Sequence, residues 1–186
     1  MHSLTRREWL SSMAAGAMGP ALATAAVRKK LPVAAVVTEY RNNSHADVIV
    51  GKVLEGWRQD GGDGPDLRLA SMYTDQVPKG DLSRGLAKKH GFPIVETIAE
   101  AITGATGKEP IAGVLSIGEH GSYPYTPKTR QHMYPRRRFF DAIVAAMQKA
   151  DRIVPLFNDK HLSYRFADAR HMVDTARKLK IPFMAG

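Results

Sequence analysis

Apolar runs rich in Val, Ile and Leu alternate along the chain with segments whose apolar residues recur at helical spacing. The first run, LPVAAVVTEY at residues 31–40, is almost continuously apolar, which is typical of a strand buried on both faces of a sheet. The segment after it has Val50, Val53, Leu54 and Trp57 at helical spacing, so a helix with these side chains inward is predicted there.

The alternation continues to the end of the chain. Further strands are predicted at residues 67–75, 92–96, 111–118, 152–157 and 181–186, and helices at 82–90, 98–103, 134–150 and 163–180. The last helix is expected to turn Phe166, Ala169, Val173 and Ala176 inward. Alternating strands and helices predict an α/β fold with a doubly wound, mainly parallel sheet and helices on both faces.

The first 26 residues have a different composition. Thr5-Arg6-Arg7-Glu8-Trp9-Leu10 resembles a twin-arginine export signal, and a mildly apolar Ala/Gly/Met stretch with small residues follows it. We therefore expect residues 1–26 to be a signal and the protein to be exported to the periplasm or cell envelope. The alternative is an amphipathic N-terminal helix. The apolar stretch is short for a bilayer span, so no stable membrane anchor is expected.

Composition narrows the classes of function. The 186 residues include no cysteine, which excludes disulfides and cysteine-ligated zinc. The formal net charge is +9, but the basic residues are dispersed, and the one dense cluster is Arg136-Arg137-Arg138. We interpret that cluster as a solvated basic face, and nucleic-acid binding is not expected.

Polar residues follow four of the predicted strands. In an open parallel sheet, ligands bind at the carboxyl ends of the strands, near the reversal of strand order. The residues at those positions are Arg41, Asn42, Ser44 and His45 after the first strand, Asp75 after the second, Gly118, Glu119 and His120 after the fourth, and Asp159, Lys160 and His161 after the fifth. We expect them to converge on one rim.

The rim permits two kinds of site. In a dinucleotide site, Asp75 would bind a ribose, while Arg41 and the helix start at Ser44 would face phosphate, although the segment TEYRNNSHAD contains no glycine. In a metal or acid/base site, the ligands would come from a set without a tight ligand spacing: Glu39, His45, Glu119, His120, Asp159 and His161.

Three stretches resemble the nucleotide-binding domain of the Gfo/Idh/MocA oxidoreductases. These are RGLAKKHGFPIVETIAEAIT, IAGVLSIGEHGSYP and the segment from RIVPLFNDKHLSY to IPFMAG. The resemblance runs from Leu31 to Gly186 and implies a Rossmann-like domain at residues 27–186, with NAD or NADP as cofactor. Because that family has a second, sheet-forming domain, the chain is expected to be a fragment of a longer protein.

The resemblance also implies residue roles. Lys160 stands at the family's lysine near the nicotinamide, with Asp159 in place of its Glu and His161 in place of its Pro. Together with His120, Lys160 and Asp159 are the candidate catalytic residues. The candidate cofactor-binding residues are Arg41, Asn42, Ser44, His45, Asp75, Gly118 and Glu119, and no metal site is assigned.

The expected reaction is hydride transfer between the nicotinamide cofactor and a small molecule such as a sugar or polyol, and a homo-oligomer is compatible with the sequence. Two alternatives stay open. One is a non-catalytic Rossmann-like module that has lost the dinucleotide, which the missing glycines favour. The other is a metal-dependent hydrolase using His45, His120 and His161.

Overall fold

The computed structural model describes residues 29–104 and 109–186. The expected signal at residues 1–26 lies outside the described residues. Within the described part, no helix combines the length and the apolar character that a membrane crossing requires.

Six parallel strands form one sheet in the order β3-β2-β1-β4-β5-β6. The strands are β1 (Leu31–Val37), β2 (Leu67–Thr74), β3 (Ile94–Val95), β4 (Gly113–Ile117), β5 (Leu156–Asn158) and β6 (Phe183–Ala185). The helices are α1 (His45–Glu55), α2 (Ser83–His90), α3 (Ile98–Thr103), α4 (Arg136–Lys149) and α5 (Phe166–Lys178). The predicted doubly wound α/β fold is confirmed.

Strand β1 lies at the centre of the sheet and separates two apolar cores. Ala34 and Val36 pack in a cluster with residues of α3, α4 and α5, whereas Val33 and Val37 pack in a second cluster with residues of α1 and α2. Because successive side chains of a strand point to opposite faces, a strand covered on both sides must be apolar at nearly every position. The unbroken apolar run in the sequence has this cause.

Short-range hydrogen bonds fix the starts of two helices. The Ser44 hydroxyl accepts a hydrogen bond from the Asp47 N–H at 3.2 Å, and Thr97 and Glu100 form a full capping box. The Asp47 carboxylate accepts from the Asn43 N–H at 2.8 Å, one residue before the position that a capping box would use. Both predicted helix starts are therefore correct.

Two side chains that were predicted to face inward are exposed. Helix α1 ends at Glu55, before Gly56 with φ +87°, so Trp57 lies beyond the helix and is 58% exposed. Phe166 is 81% exposed, because the buried face of α5 is centred on Met172 and Ala176. At 3.6 residues per turn, Phe166 lies roughly 100° around the helix from that face.

Candidate functional site

The carboxyl ends of β1 and β4 are adjacent. From β1 the chain continues to β2 on one side of this pair, and from β4 it continues to β5 on the other side. Hydrogen bonds tie the ends of the strands together. The Thr38 hydroxyl donates to the Glu119 carbonyl, the Asp75 N–H donates to the Val37 carbonyl at 3.0 Å, and the Asp159 N–H donates to the Ser116 carbonyl at 2.9 Å. This edge is the switch point, where open α/β sheets bind ligands.

The turn between β1 and α1 is built without glycine. Asn43 takes the left-handed conformation at φ 57°, which Asn tolerates better than most residues. Tyr40 is fully buried in the core below the turn, where burial raises the pKa of its hydroxyl far above the usual range. Asn42 is exposed, whereas Ser44 is buried as the cap of α1.

Arg41 connects this turn to the end of β4. Its guanidinium forms an ion pair with Glu39, and its Nη2 lies 3.2 Å from Nδ1 of His120. Burial, followed by the positive charge of Arg41, lowers the pKa of His120. Nε2 of His120 is buried and has no hydrogen-bond partner among the described residues.

His45, the first residue of α1, reaches the loop after β5. Its Nδ1 lies 2.7 Å from Oδ2 of Asp159, and its ring meets that of His120 edge-on at 5.4 Å between centroids. Three neighbouring strand ends therefore bring Arg41, His45, His120 and Asp159 together. These residues lie as far as 118 positions apart in the sequence, from 41 to 159.

Arg136 is the residue at this edge that sequence reasoning missed. Its side chain is only 1% exposed, contrary to the expected solvated basic face. The guanidinium donates to Glu119, lies 3.2 Å from Nε2 of His161 and stacks over the ring of Tyr134. Nothing in the Arg-Arg-Arg run marks the first arginine as the buried one, because its burial depends on partners from other elements.

Asp75 has three partners of its own. Its carboxylate accepts hydrogen bonds at 2.6 Å from each of Tyr73, Tyr123 and Arg138. Burial alone would raise the pKa of Asp75, but these hydrogen bonds, that of Arg138 first, outweigh it and lower the pKa. The acid at the end of β2 is thus ionised and already hydrogen-bonded within the chain.

The loop after β4 is also fastened to the end of β2. Gln76 donates to the Ser122 carbonyl at 3.1 Å and accepts from the Ser122 N–H at 2.8 Å. At the start of this loop, a Cβ on Gly118 would lie 2.7 Å from Cγ of Arg136. Gly118, predicted to bind cofactor, therefore lets the buried arginine pack against the backbone.

Lys160 has a positive φ of 65° and an exposed side chain, which makes no hydrogen bond or ion pair within the described parts of the chain. Asn158 holds this turn by donating to the carbonyls of Asp159 and Lys160. His161, the remaining member of the proposed histidine metal site, contacts Arg136 instead of His45 or His120. In residues 29–104 and 109–186, no three His, Asp or Glu side chains are arranged to hold a metal ion.

No family model and no curated protein matches the chain. Forty chains of solved structures do match it. GenD2 from gentamicin A biosynthesis, in complex with NAD, is 16% identical with a TM-score of 0.52 over 85% of this chain and 34% of its own. The chain has a Rossmann-like fold.

Two other solved structures match the chain over a similar length. Biliverdin reductase from Synechocystis sp. PCC 6803, in complex with biliverdin and NADP⁺, is 13% identical with a TM-score of 0.51 over 84% of this chain and 37% of its own. UDP-N-acetylglucosamine 3-dehydrogenase from Acidithiobacillus ferrooxidans is 8% identical with a TM-score of 0.52 over 84% of this chain and 36% of its own. The chain spans about a third of the length of these structures.

Proposed function

We propose that residues 31–186 are the nucleotide-binding domain of a Gfo/Idh/MocA-like oxidoreductase that uses NAD or NADP. The observation that carries this proposal is the convergence of ionisable side chains from β1, β4 and β5 at the switch point of a sheet with the order β3-β2-β1-β4-β5-β6. The NAD and NADP⁺ complexes among the structural neighbours support the same class of cofactor.

The phosphate end of the cofactor fits the start of α1. The first N–H groups of a helix lack partners within the helix, and its positive dipole end attracts anions. Arg41, about half exposed beside this helix start, adds a positive charge, and Asn42 adds an exposed amide. Phosphate would be held by these side chains, since the turn lacks the glycines that allow close backbone approach.

The adenosine end of the cofactor would fit if one hydrogen-bond partner of Asp75 were replaced. Asp75 is ionised and stands where an acid binds a ribose, but a ribose hydroxyl would have to replace the hydroxyl of Tyr123 or the guanidinium of Arg138. A pocket of about 470 Å³ lies next to this cluster and is lined by Tyr73 of β2, by residues of α3 and of the segment just before it, and by Arg138, Ala142 and other residues of α4. Its largely apolar wall suits an adenine ring.

The cofactor would supply hydride transfer at the ends of β4 and β5. Lys160, which is exposed and has no side-chain partner among the described residues, would hydrogen-bond the reacting hydroxyl or carbonyl of the substrate and stabilise negative charge on its oxygen. A sugar-like or polyol substrate is consistent with the UDP-N-acetylglucosamine dehydrogenase among the neighbours.

Calorimetric titration with NAD⁺, NADH, NADP⁺ and NADPH tests the proposal. At least one should bind, and Arg41→Gln should weaken that binding about tenfold or more, as expected for a lost charge-assisted hydrogen bond of roughly 1.5–3 kcal/mol. Arg170→Gln, which removes an exposed arginine paired with Asp174 on α5, is the matched control and should bind as the wild type does. Absence of binding at millimolar concentration of all four nucleotides would rule the proposal out.

A non-catalytic binding module is the second candidate. Two observations favour it: the side chain of Glu39, only 8% exposed, adds negative charge to the glycine-free turn, and the hydrogen bonds of Asp75 are satisfied internally. This candidate predicts no nucleotide binding, and it predicts that Lys160→Ala leaves the affinity for any other ligand unchanged.

A further inference from the structure

The loop after β4 contains a strap, residues 121–132, that folds back over the end of β2. Three hydrogen bonds within the described chain join the two. Gln76 exchanges two of them with the backbone of Ser122, at 3.1 and 2.8 Å, and the Tyr123 hydroxyl donates the third to Oδ2 of Asp75 at 2.6 Å. The strap therefore lies against the acid that the proposed function assigns to a ribose.

The strap is held together by contacts of its own. Tyr125 and His132 form an antiparallel bridge, and their rings stack with 4.0 Å between centroids and 8° between planes. Nε2 of His132 lies 3.0 Å from the Tyr123 carbonyl, which only accepts, so this nitrogen donates. Because these contacts are internal, they persist when the three bonds to the end of β2 break, and the strap can move as one unit.

The closed position of the strap depends on the backbone at its first residue. Gly121 has φ +98°, a conformation that favours glycine, and a Cβ there would lie 2.7 Å from Cε2 of Tyr123. His120, just before it, is also left-handed at φ 69°. Two consecutive residues with positive φ thus turn the chain back, and the missing side chain at position 121 leaves room for the Tyr123 ring beside Asp75.

Of the three donors on Asp75, Tyr123 is the one that a ribose hydroxyl replaces at least cost. The exchange is like for like, because one neutral hydroxyl takes the place of another on the same carboxylate. Loss of Arg138 would instead leave a carboxylate that is only 12% exposed without its cation. Tyr73 belongs to β2, and its ring meets that of the buried Phe139 edge-on.

We propose that Tyr123 is a built-in competitor of the cofactor ribose and that the strap lifts from the end of β2 when a dinucleotide binds. This inference rests on the proposed function. The nucleotide-free protein is then mostly closed, and its apparent affinity is reduced by the fraction of molecules in which the strap is open. Opening and binding are coupled, so any change that loosens the strap strengthens nucleotide binding.

Calorimetric titration with the nucleotide that the wild type binds most tightly tests this coupling. Tyr123→Phe keeps the ring and removes the competing hydroxyl, so it should bind about three- to tenfold more tightly, as expected for one competing hydrogen bond. Gln76→Ala removes both bonds to Ser122 without touching Asp75 and should act in the same direction. Tyr125→Phe is the matched control: its hydroxyl makes no hydrogen bond within the described chain, so binding should be unchanged.

Amide hydrogen exchange followed by NMR measures the opening itself. The Ser122 N–H is bonded to Gln76 across the strap's contact with β2, whereas the Thr126 N–H is bonded to the Gln131 carbonyl inside the strap. Saturating nucleotide should speed exchange at Ser122 about three- to tenfold and leave Thr126 unchanged, because the strap opens without unfolding.

The outcomes separate this inference from the proposed function. If a nucleotide binds, but neither Tyr123→Phe nor Gln76→Ala binds it more tightly, or exchange at Ser122 is unchanged or slower, the inference is overturned and the proposed function stands. If Tyr123→Phe does not fold, Gln76→Ala decides. Failure of all four nucleotides to bind overturns the proposed function, and this inference with it.

Discussion

Replacing Arg136 by Met tests whether a buried guanidinium organises the ends of β4 and β5. The substitution keeps an unbranched apolar side chain, but it removes the guanidinium, together with its bonds to Glu119 and His161 and its stacking over Tyr134. The Glu119 side chain, only 18% exposed, is left without its cation. Breaking a buried pair by removing one partner costs about 3–5 kcal/mol.

The expected loss is large enough for a simple assay. For a domain of this size each kcal/mol lowers Tm by roughly 2–4 °C, so Arg136→Met should lower it by about 6–20 °C. Urea unfolding followed by circular dichroism gives the free energy directly. The double variant Arg136→Met/Glu119→Leu should be less destabilised than the sum of the two single variants, because it leaves no unpaired charge.

The neighbouring arginine provides the control. Arg137 also makes two ion pairs, with Asp141 and Asp168 at 2.8 and 2.9 Å, but its side chain is 38% exposed. Since exposed pairs contribute about 0–1 kcal/mol, Arg137→Met should cost about 1 kcal/mol at most. If both variants lose the same stability, burial is not the reason for the importance of Arg136, and the interpretation is wrong.

Three further predictions address the turn after β4, the histidines and the N-terminus. Gly118→Ala should destabilise the fold by about 1–3 kcal/mol in urea unfolding, because the added Cβ meets the buried arginine; a neutral result would contradict the close packing. Partial desolvation and a neighbouring arginine lower the pKa values of His120 and His161, so the unfolded chain binds more protons just below the ordinary histidine pKa of about 6.5. The free energy of unfolding should therefore fall as the pH drops from about 7 to 5, and a flat profile would count against it. We also propose that residues 1–26 direct export, so Arg6→Lys with Arg7→Lys should retain the protein in the cytoplasm in a fractionation assay.

The fold was predictable because each step depended on short-range patterns. The apolar runs and the helical spacing identified the elements, and Ser44 and Thr97 marked helix starts through neighbours three residues away. The wrong predictions concern side chains whose exposure depends on helix packing or on where a helix ends. The orientation of Phe166 depends on where α5 packs against the sheet, and Trp57 falls after a helix end set by Gly56.

The site was predictable only in outline. A parallel sheet delivers its strand ends to one edge, so the convergence of His45, His120 and Asp159 followed from topology. Their pairing did not, because the bond from His45 to Asp159 joins residues 114 positions apart, and no local pattern specifies it. The same holds for the Tyr123 hydroxyl on Asp75, 48 positions away.

The glycine-free turn shows how one geometry can be built from different residues. Asn43 supplies the left-handed backbone, Tyr40 fills the core beneath, and the Thr38 hydroxyl bonds the backbone of the loop after β4. What the turn cannot supply without glycine is room for the backbone to approach an anion. We therefore propose that an anion bound at this edge contacts the side chains of Arg41 and His45 rather than backbone N–H groups. The positions of these two side chains depend on Glu39, Asp159 and His120.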